Sequence, residues 1–192
     1  ASDVYKRQGL YAGLDYGRIP DQFLPLLQER EALGAPWRRE GQEDATISVR
    51  LQTRSGLERI FEYAFDYASR HGFDRVTFVD KPMVLRHSSA FTRGVFESVA
   101  QRYPGIEGVI ENVDAVALWM VQRPERFSVV VAENMFGDIL SDLGAGVMGG
   151  LGFAPSGNFG KLGAYFEPVH GSAPAHAGLN KANPSAMFMT IA

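Results

Sequence analysis

The chain has 192 residues, with 19 Lys+Arg against 22 Asp+Glu, a formal net charge of −3 and no cysteine. That balance argues against nucleic acid or an anionic membrane as the main partner, and without cysteine neither a disulfide framework nor thiolate chemistry is open to it. Apolar residues, 45% of the total, suffice for a packed core, while no apolar run reaches the roughly 18 residues of a membrane-spanning helix.

Residues 14–46 are rich in Pro, Gly and charge, with little periodicity. They predict one short helix around Phe23, Leu24, Leu26 and Leu27, within a loop whose length is uncommon unless functional or disordered. Ile47, Val49 and Leu51 alternate with polar residues and predict a half-buried strand. Ser55-Gly56-Leu57-Glu58 has the form of a capping box. After it, Leu57, Ile60, Phe61, Ala64, Phe65 and Ala68 trace one apolar helical stripe that Gly72 closes. Tyr63 and Phe65 are therefore expected as core or interface residues.

Residues 75–80 predict the next strand and 91–103 a second helix, stopped by Pro104-Gly105. A third helix is expected over 113–122, stopped near Pro124. The apolar run 128–132 reads as a buried parallel strand. Gly137 marks a turn, and a fourth helix is expected over 138–148. Alternating strands and helices imply a layered α/β architecture. Gly149-Gly150 is the expected crossing from a domain at 9–148 into a partial second domain at 149–192.

Asp138 and Asp142 are four apart and share one face of a helix. At the carboxyl end of a strand such a pair can hold a hard cation such as Mg2+. A bare D-x-x-x-D more often complements a helix N-terminus, so neighbouring motifs must decide. Lys81 ends a strand, where a side chain enters a cleft. An unperturbed Lys is a poor base at neutral pH, and burial beside a cation would make base chemistry possible. The competing reading is a structural Lys paired with Asp80. Asp114 alone is an ordinary helix-start residue, and Tyr11 alone an aromatic core residue.

Four motifs follow in order: 133–142 (Glu-Asn-Met-Phe-Gly-Asp-Ile-Leu-Ser-Asp), 149–158, 166–174 (Phe-Glu-Pro-Val-His-Gly-Ser-Ala-Pro) and Ala182-Asn183-Pro184. With Gly9-Leu10-Tyr11-Ala12-Gly13, Val79-Asp80-Lys81 and Val113-Asp114-Ala115 upstream, the chain closely resembles the isocitrate/isopropylmalate dehydrogenases, the metal-dependent β-decarboxylating family. The resemblance runs from Gly9 to Ala192. It implies the layered fold of that family, truncated at both ends, with residues 1–8 foreign to it: Val4 stands where the family keeps an Arg.

The resemblance also implies an activity, the NAD- or NADP-dependent oxidative decarboxylation of a 2-hydroxy acid with an adjacent carboxylate, isocitrate or 3-isopropylmalate in type. Lys81, Tyr11 and Asp114 would be catalytic. Asp138 and Asp142 would hold Mg2+ or Mn2+, with Asp114 completing the shell from a second subunit of a homodimer. His170, Gly171, Ser172 and Ala173 would lie at the cofactor pyrophosphate, His176 and Asn183 elsewhere on the cofactor. The 14–46 region would correspond to an arm reaching the partner, lengthened here, which tilts the reading toward an isocitrate-like member. A cytoplasmic location is the default, and a removed organellar transit peptide is compatible with it.

Three departures stand out. Met83 replaces a family Asn and cannot make amide hydrogen bonds. Ala175 replaces the residue that separates NAD from NADP users. The substrate-gripping arginines lie upstream or in the aberrant start, and Arg86 does not replace them. The chain alone is accordingly expected to be inactive, and the rival reading is a non-catalytic subunit or inactive fragment that keeps the dimer fold.

Overall fold

The computed structural model describes residues 9–28, 41–160 and 162–191. The expectations for 1–8 and for the 29–40 part of the long loop lie outside them. Leu10–Ala12 make one 3-10 turn. β1 (Asp15–Tyr16) pairs antiparallel with β2 (Ile47–Ser48), and a 3-10 turn at Asp21–Phe23 leads into α1 (Leu24–Gln28), the short helix expected there. The strand expected through Leu51 is shorter. Its ladder stops at Ser48, and an isolated bridge from Gly9 to Leu51 follows. Leu51 is 45% exposed, because the chain turns Arg50 inward, onto two buried carboxylates.

α2 (Arg54–His71) is capped by Thr53, whose hydroxyl accepts from the Gly56 N–H at 3.3 Å. The cap is therefore Thr53, not Ser55. Thr53 is extended and Ser55 is already helical, so only the former can turn its oxygen onto the free N–H groups. The expected stripe is buried except for half-buried Ile60, with Phe65 and Ala68 fully so, and Gly72 at φ 72° closes the helix in the left-handed conformation.

β3 (Arg75–Asp80) follows as expected. α3 (Arg86–Ala100) begins earlier than its apolar residues suggest. Its first turns bury Ser89 and Thr92 rather than hydrocarbon, which hides the period. β4 (Glu107–Asn112) was not anticipated. α4 (Val113–Gln122) matches its expected span, and β5 (Val129–Ala132) nearly so. α5 (Asn134–Val147) starts before Gly137. Gly137 is no turn: its N–H bonds the Glu133 carbonyl at 2.8 Å, a helical bond. A Cβ there would make only an ordinary contact, 3.5 Å from the Ala132 carbonyl oxygen.

The three central strands are parallel, in the order β4-β3-β5. β3 has neighbours on both sides, and Val76 through Asp80 are buried, which is why it reads as a continuous apolar run. Val76 and Phe78 pack with Leu57, Phe61 and Phe65 of α2 and Phe96 and Val99 of α3. Val79 faces the other way, onto Val116 of α4 and Leu140 of α5. The period of two thus assigns one helix pair to each face. Gly108 lets α3 approach: a Cβ would lie 3.2 Å from both Ala100 and Phe96.

Gly149 and Gly150, at φ 113° and 110°, turn the chain toward an antiparallel hairpin of β6 (Pro155–Gly160) and β7 (Gly163–Pro168), against which α6 (Ser185–Ile191) packs. Phe159 stacks on Tyr63 of α2 at 5.1 Å, so Tyr63 joins the hairpin to the helix. Among the described residues, no helix is long and apolar enough to cross a membrane.

Candidate active site

The parallel register aligns the carboxyl ends of the strands: Asp80 opposite Asn112, and Val79 opposite Ala132. Lys81, Asp114 and the start of α5 therefore leave the sheet along one edge, where open α/β sheets place their ligands.

Two pairs form there. In the first, Tyr11, on its 3-10 turn, donates its hydroxyl to Asp138 Oδ2 at 2.7 Å. That bond to a carboxylate pushes the phenol pKa above its ordinary value, and partial burial adds to the shift. Asp142 lies one turn further along α5, and both aspartates are exposed. In the second pair, Lys81 Nζ lies 2.7 Å from Asp114 Oδ1. The lysine's hydrogen bond holds the Asp114 carboxyl below its usual pKa, helped by backbone donors at the start of α4. Lys81 is 30% exposed, so it is not the buried lysine that base chemistry led one to expect. Nor does it pair with Asp80, which belongs to a different network.

That network is what sequence reasoning missed. Arg50 reaches Glu133 Oε1 through Nε at 3.0 Å and Asp80 Oδ1 through Nη2 at 3.4 Å. Burial raises the Glu133 pKa, opposed by the charge and hydrogen bond of Arg50. A signal did exist: Arg50 alternates with Val49 and Leu51, a charge at a strand position with acids at the ends of two later strands.

The carboxy-terminal residues make local contacts of their own. His170 Nδ1 lies 2.9 Å from the Gly171 carbonyl oxygen. Ala173 is left-handed at φ 43°, and a 3-10 turn at Pro174–His176 carries Ala175. Residues 171–180 are exposed. Asn183 caps α6, its side-chain carbonyl accepting from the Ser185 N–H at 3.0 Å. Met83 is 72% exposed.

The isocitrate/isopropylmalate dehydrogenase family model matches residues 7–192. The chain belongs to that family. It is 57% identical over 184 residues to protein DlpA of Legionella pneumophila, covering 96% of this chain and 29% of that one. Against the 3-isopropylmalate dehydrogenase of Methanothermobacter thermautotrophicus it is 46% identical over 147 residues, 77% of this chain and 45% of the other. A crystal structure of isocitrate dehydrogenase from Methylococcus capsulatus superposes with a TM-score of 0.78 at 42% identity, over 95% of this chain and 48% of that one. The chain thus spans less than half the length of these relatives, and the fold is that of the family.

The donor set suits a hard divalent cation. Asp138 and Asp142 offer carboxylate oxygens from one face of α5, open to solvent. Among the described residues, no three His, Asp or Glu side chains converge on one point. Asp138 and Asp142 share a face of α5, while Asp114 stands beside Lys81. The run from half-buried His170 through exposed Gly171, Ser172 and Ala173, small at the last three and kinked at Ala173, suits close approach of an anionic group to backbone amides.

Proposed function

We propose that the chain carries the substrate and metal half of an NAD- or NADP-dependent dehydrogenase that oxidatively decarboxylates a 2-hydroxy acid with a carboxylate on the next carbon. The observation that carries this reading is the pair of acid–base couples at the sheet edge, Tyr11 with Asp138 and Lys81 with Asp114. In such a reaction hydride leaves the hydroxyl-bearing carbon for the nicotinamide, the β-keto acid loses CO2, and the enolate takes up a proton.

Lys81, as the neutral amine, takes the hydroxyl proton, and Asp114 places its Nζ. Tyr11 delivers the last proton, since a phenol, with its ordinary pKa about 10, carries its proton at neutral pH. Asp138 and Asp142, with Asp114 of a second copy, would hold Mg2+ or Mn2+. When bound, that ion polarises the hydroxyl and offsets the developing negative charge. His170, Gly171, Ser172, Ala173, His176 and Asn183 would hold the cofactor.

In this reading Lys81 and Asp114 of one copy complete the site whose Asp138 and Asp142 come from the other, in a two-fold homodimer. Among the described residues, Asp114 does not converge with Asp138 and Asp142 within one chain, which supports that division. The test is nicotinamide reduction by a longer polypeptide that contains these residues, given isocitrate, 3-isopropylmalate or their relatives with Mg2+ or Mn2+. Turnover lost in Lys81→Ala and in Asp138→Ala supports the reading, and turnover unchanged in either refutes it.

A further inference from the structure

Arg50 lies where two strand ends meet. Its guanidinium touches Asp80 and Glu133 and lies 5.6 Å from the centre of the Phe136 ring. The three charged side chains are 11%, 1% and 8% exposed. One cation between two buried acids is a poor way to gain stability, since apolar packing of equal volume usually does as well or better. What a planar guanidinium supplies is fixed direction and distance between its partners.

The partners are the roots of the site. Asp80 directly precedes Lys81. Glu133 is the residue from which α5 starts, with Asp138 and Asp142 beyond it. A third root comes from Arg50's neighbour: Leu51 and Gly9 exchange both backbone hydrogen bonds, at 2.6 and 3.1 Å, and Gly9 stands just before the turn that carries Tyr11. Gly9, at φ 67°, sits so close to Glu133 that a Cβ would fall 2.0 Å from its Oε2. The carboxylate thus fixes that backbone as well.

We propose that Arg50 is a positioning residue: by gripping Asp80 and Glu133 together, it sets the relative placement of Lys81, Asp138 and Tyr11. This rests on reading those three as site residues. The test separates the two ideas. Isotope-labelled wild-type chain and Arg50→Lys, which keeps the charge and loses the fork, are compared by NMR well below their melting temperatures. Each is then titrated with Mn2+.

In Arg50→Lys the amide signals of Tyr11, Lys81 and Asp138 should all move, and Mn2+ affinity at Asp138 and Asp142 should fall about 10-fold, as when the support behind a metal ligand is lost. A merely structural arginine would lower the melting temperature and leave the native signals of these three residues in place. Shifts confined to residues beside position 50, or movement at Lys81 without Asp138, overturn the proposal. If wild type binds no Mn2+ there, the metal reading falls and the amide shifts alone decide the role of Arg50. If Arg50→Lys does not fold, Glu133→Gln removes one charge from the grip at nearly constant volume, and the same three signals are read.

Discussion

Tyr11 donates a phenolic hydrogen bond to Asp138 at 2.7 Å across 127 residues of chain. The contact joins the amino-terminal turn to α5, and its electrostatic consequence is measurable. The folded phenol pKa is raised, so the stabilisation it provides is complete below the ordinary phenol value, about 10. It is lost as pH rises through the higher folded value. In Asp138→Ala, which removes the largest cause of the shift, the Tyr11 ring-carbon titration should move down toward that of a free tyrosine. An unchanged titration would show that the pair does not form. Tyr11 is 40% exposed, so the melting temperature should change little.

Lys81 and Asp114 make the opposite case. The Asp114 carboxyl is depressed, chiefly by the Lys81 hydrogen bond. Its contribution is present above the ordinary carboxylate pKa and lost as pH falls through the folded value. Lys81→Ala should raise the Asp114 carboxyl titration toward the usual carboxylate range. The backbone donors at the start of α4 should keep it somewhat low. Carbon-detected NMR of the side-chain carboxyl reads this, and a titration that stays where it was would remove Lys81 as the cause.

Metal should stabilise the fold if Asp138 and Asp142 are ligands. A ligand that binds the native state alone adds about 2.7 kcal/mol at a hundred times its dissociation constant. Mn2+ or Mg2+ should therefore raise the melting temperature of wild type and leave Asp138→Asn unmoved. Equal shifts in both proteins would refute the assignment.

The sequence made the central strand and its helices legible because their burial is simple. β3 is covered on both faces and reads as one apolar run, while α2 shows a full stripe with a glycine stop. α4 lies between Asn112 and Arg123, just short of Pro124, and could be bounded from both ends. β4 was invisible for physical reasons: it is an edge strand, starts with Glu107-Gly108, and keeps only Val109 and Ile110 as apolar residues. The first turns of α3 were hidden because Ser89 and Thr92 are buried where hydrocarbon was expected, Thr92 bonding the Ser88 carbonyl at 2.8 Å. The Lys81–Asp114 pair needed the sheet order β4-β3-β5 before the two residues could be neighbours. The Arg50 network needed more, since its members come from three separate segments and only folding sums their charges.

Phe96 is the aromatic hinge of the core. Its ring lies 5.1 Å from Phe61, 5.4 Å from Phe78 and 5.5 Å from Phe65. Phe96→Ala should cost about 3–5 kcal/mol in urea unfolding. Phe91, on the same helix, is 41% exposed and meets Arg54 at 5.3 Å. Phe91→Ala should cost only about 0.5–1 kcal/mol. Similar losses at the two positions would contradict the assignment of α3's buried face.

The division of the site between two copies has a quantitative signature. In a longer, active polypeptide, Lys81→Ala and Asp138→Ala homodimers should each be nearly dead, because both of their sites carry one lesion. Random reassembly of equal amounts makes about half the dimers mixed, and in a mixed dimer one composite site collects both lesions while the other has none. About a quarter of all sites are then intact, and roughly a quarter of wild-type turnover should return. Subunit exchange is verified by mass, so that failure to mix is not mistaken for failure to complement. If exchange is complete and turnover stays at the level of the mutants, Lys81 and Asp138 act within one chain. The buried grip of Arg50 on Asp80 and Glu133 would then hold both couples in one frame within that chain.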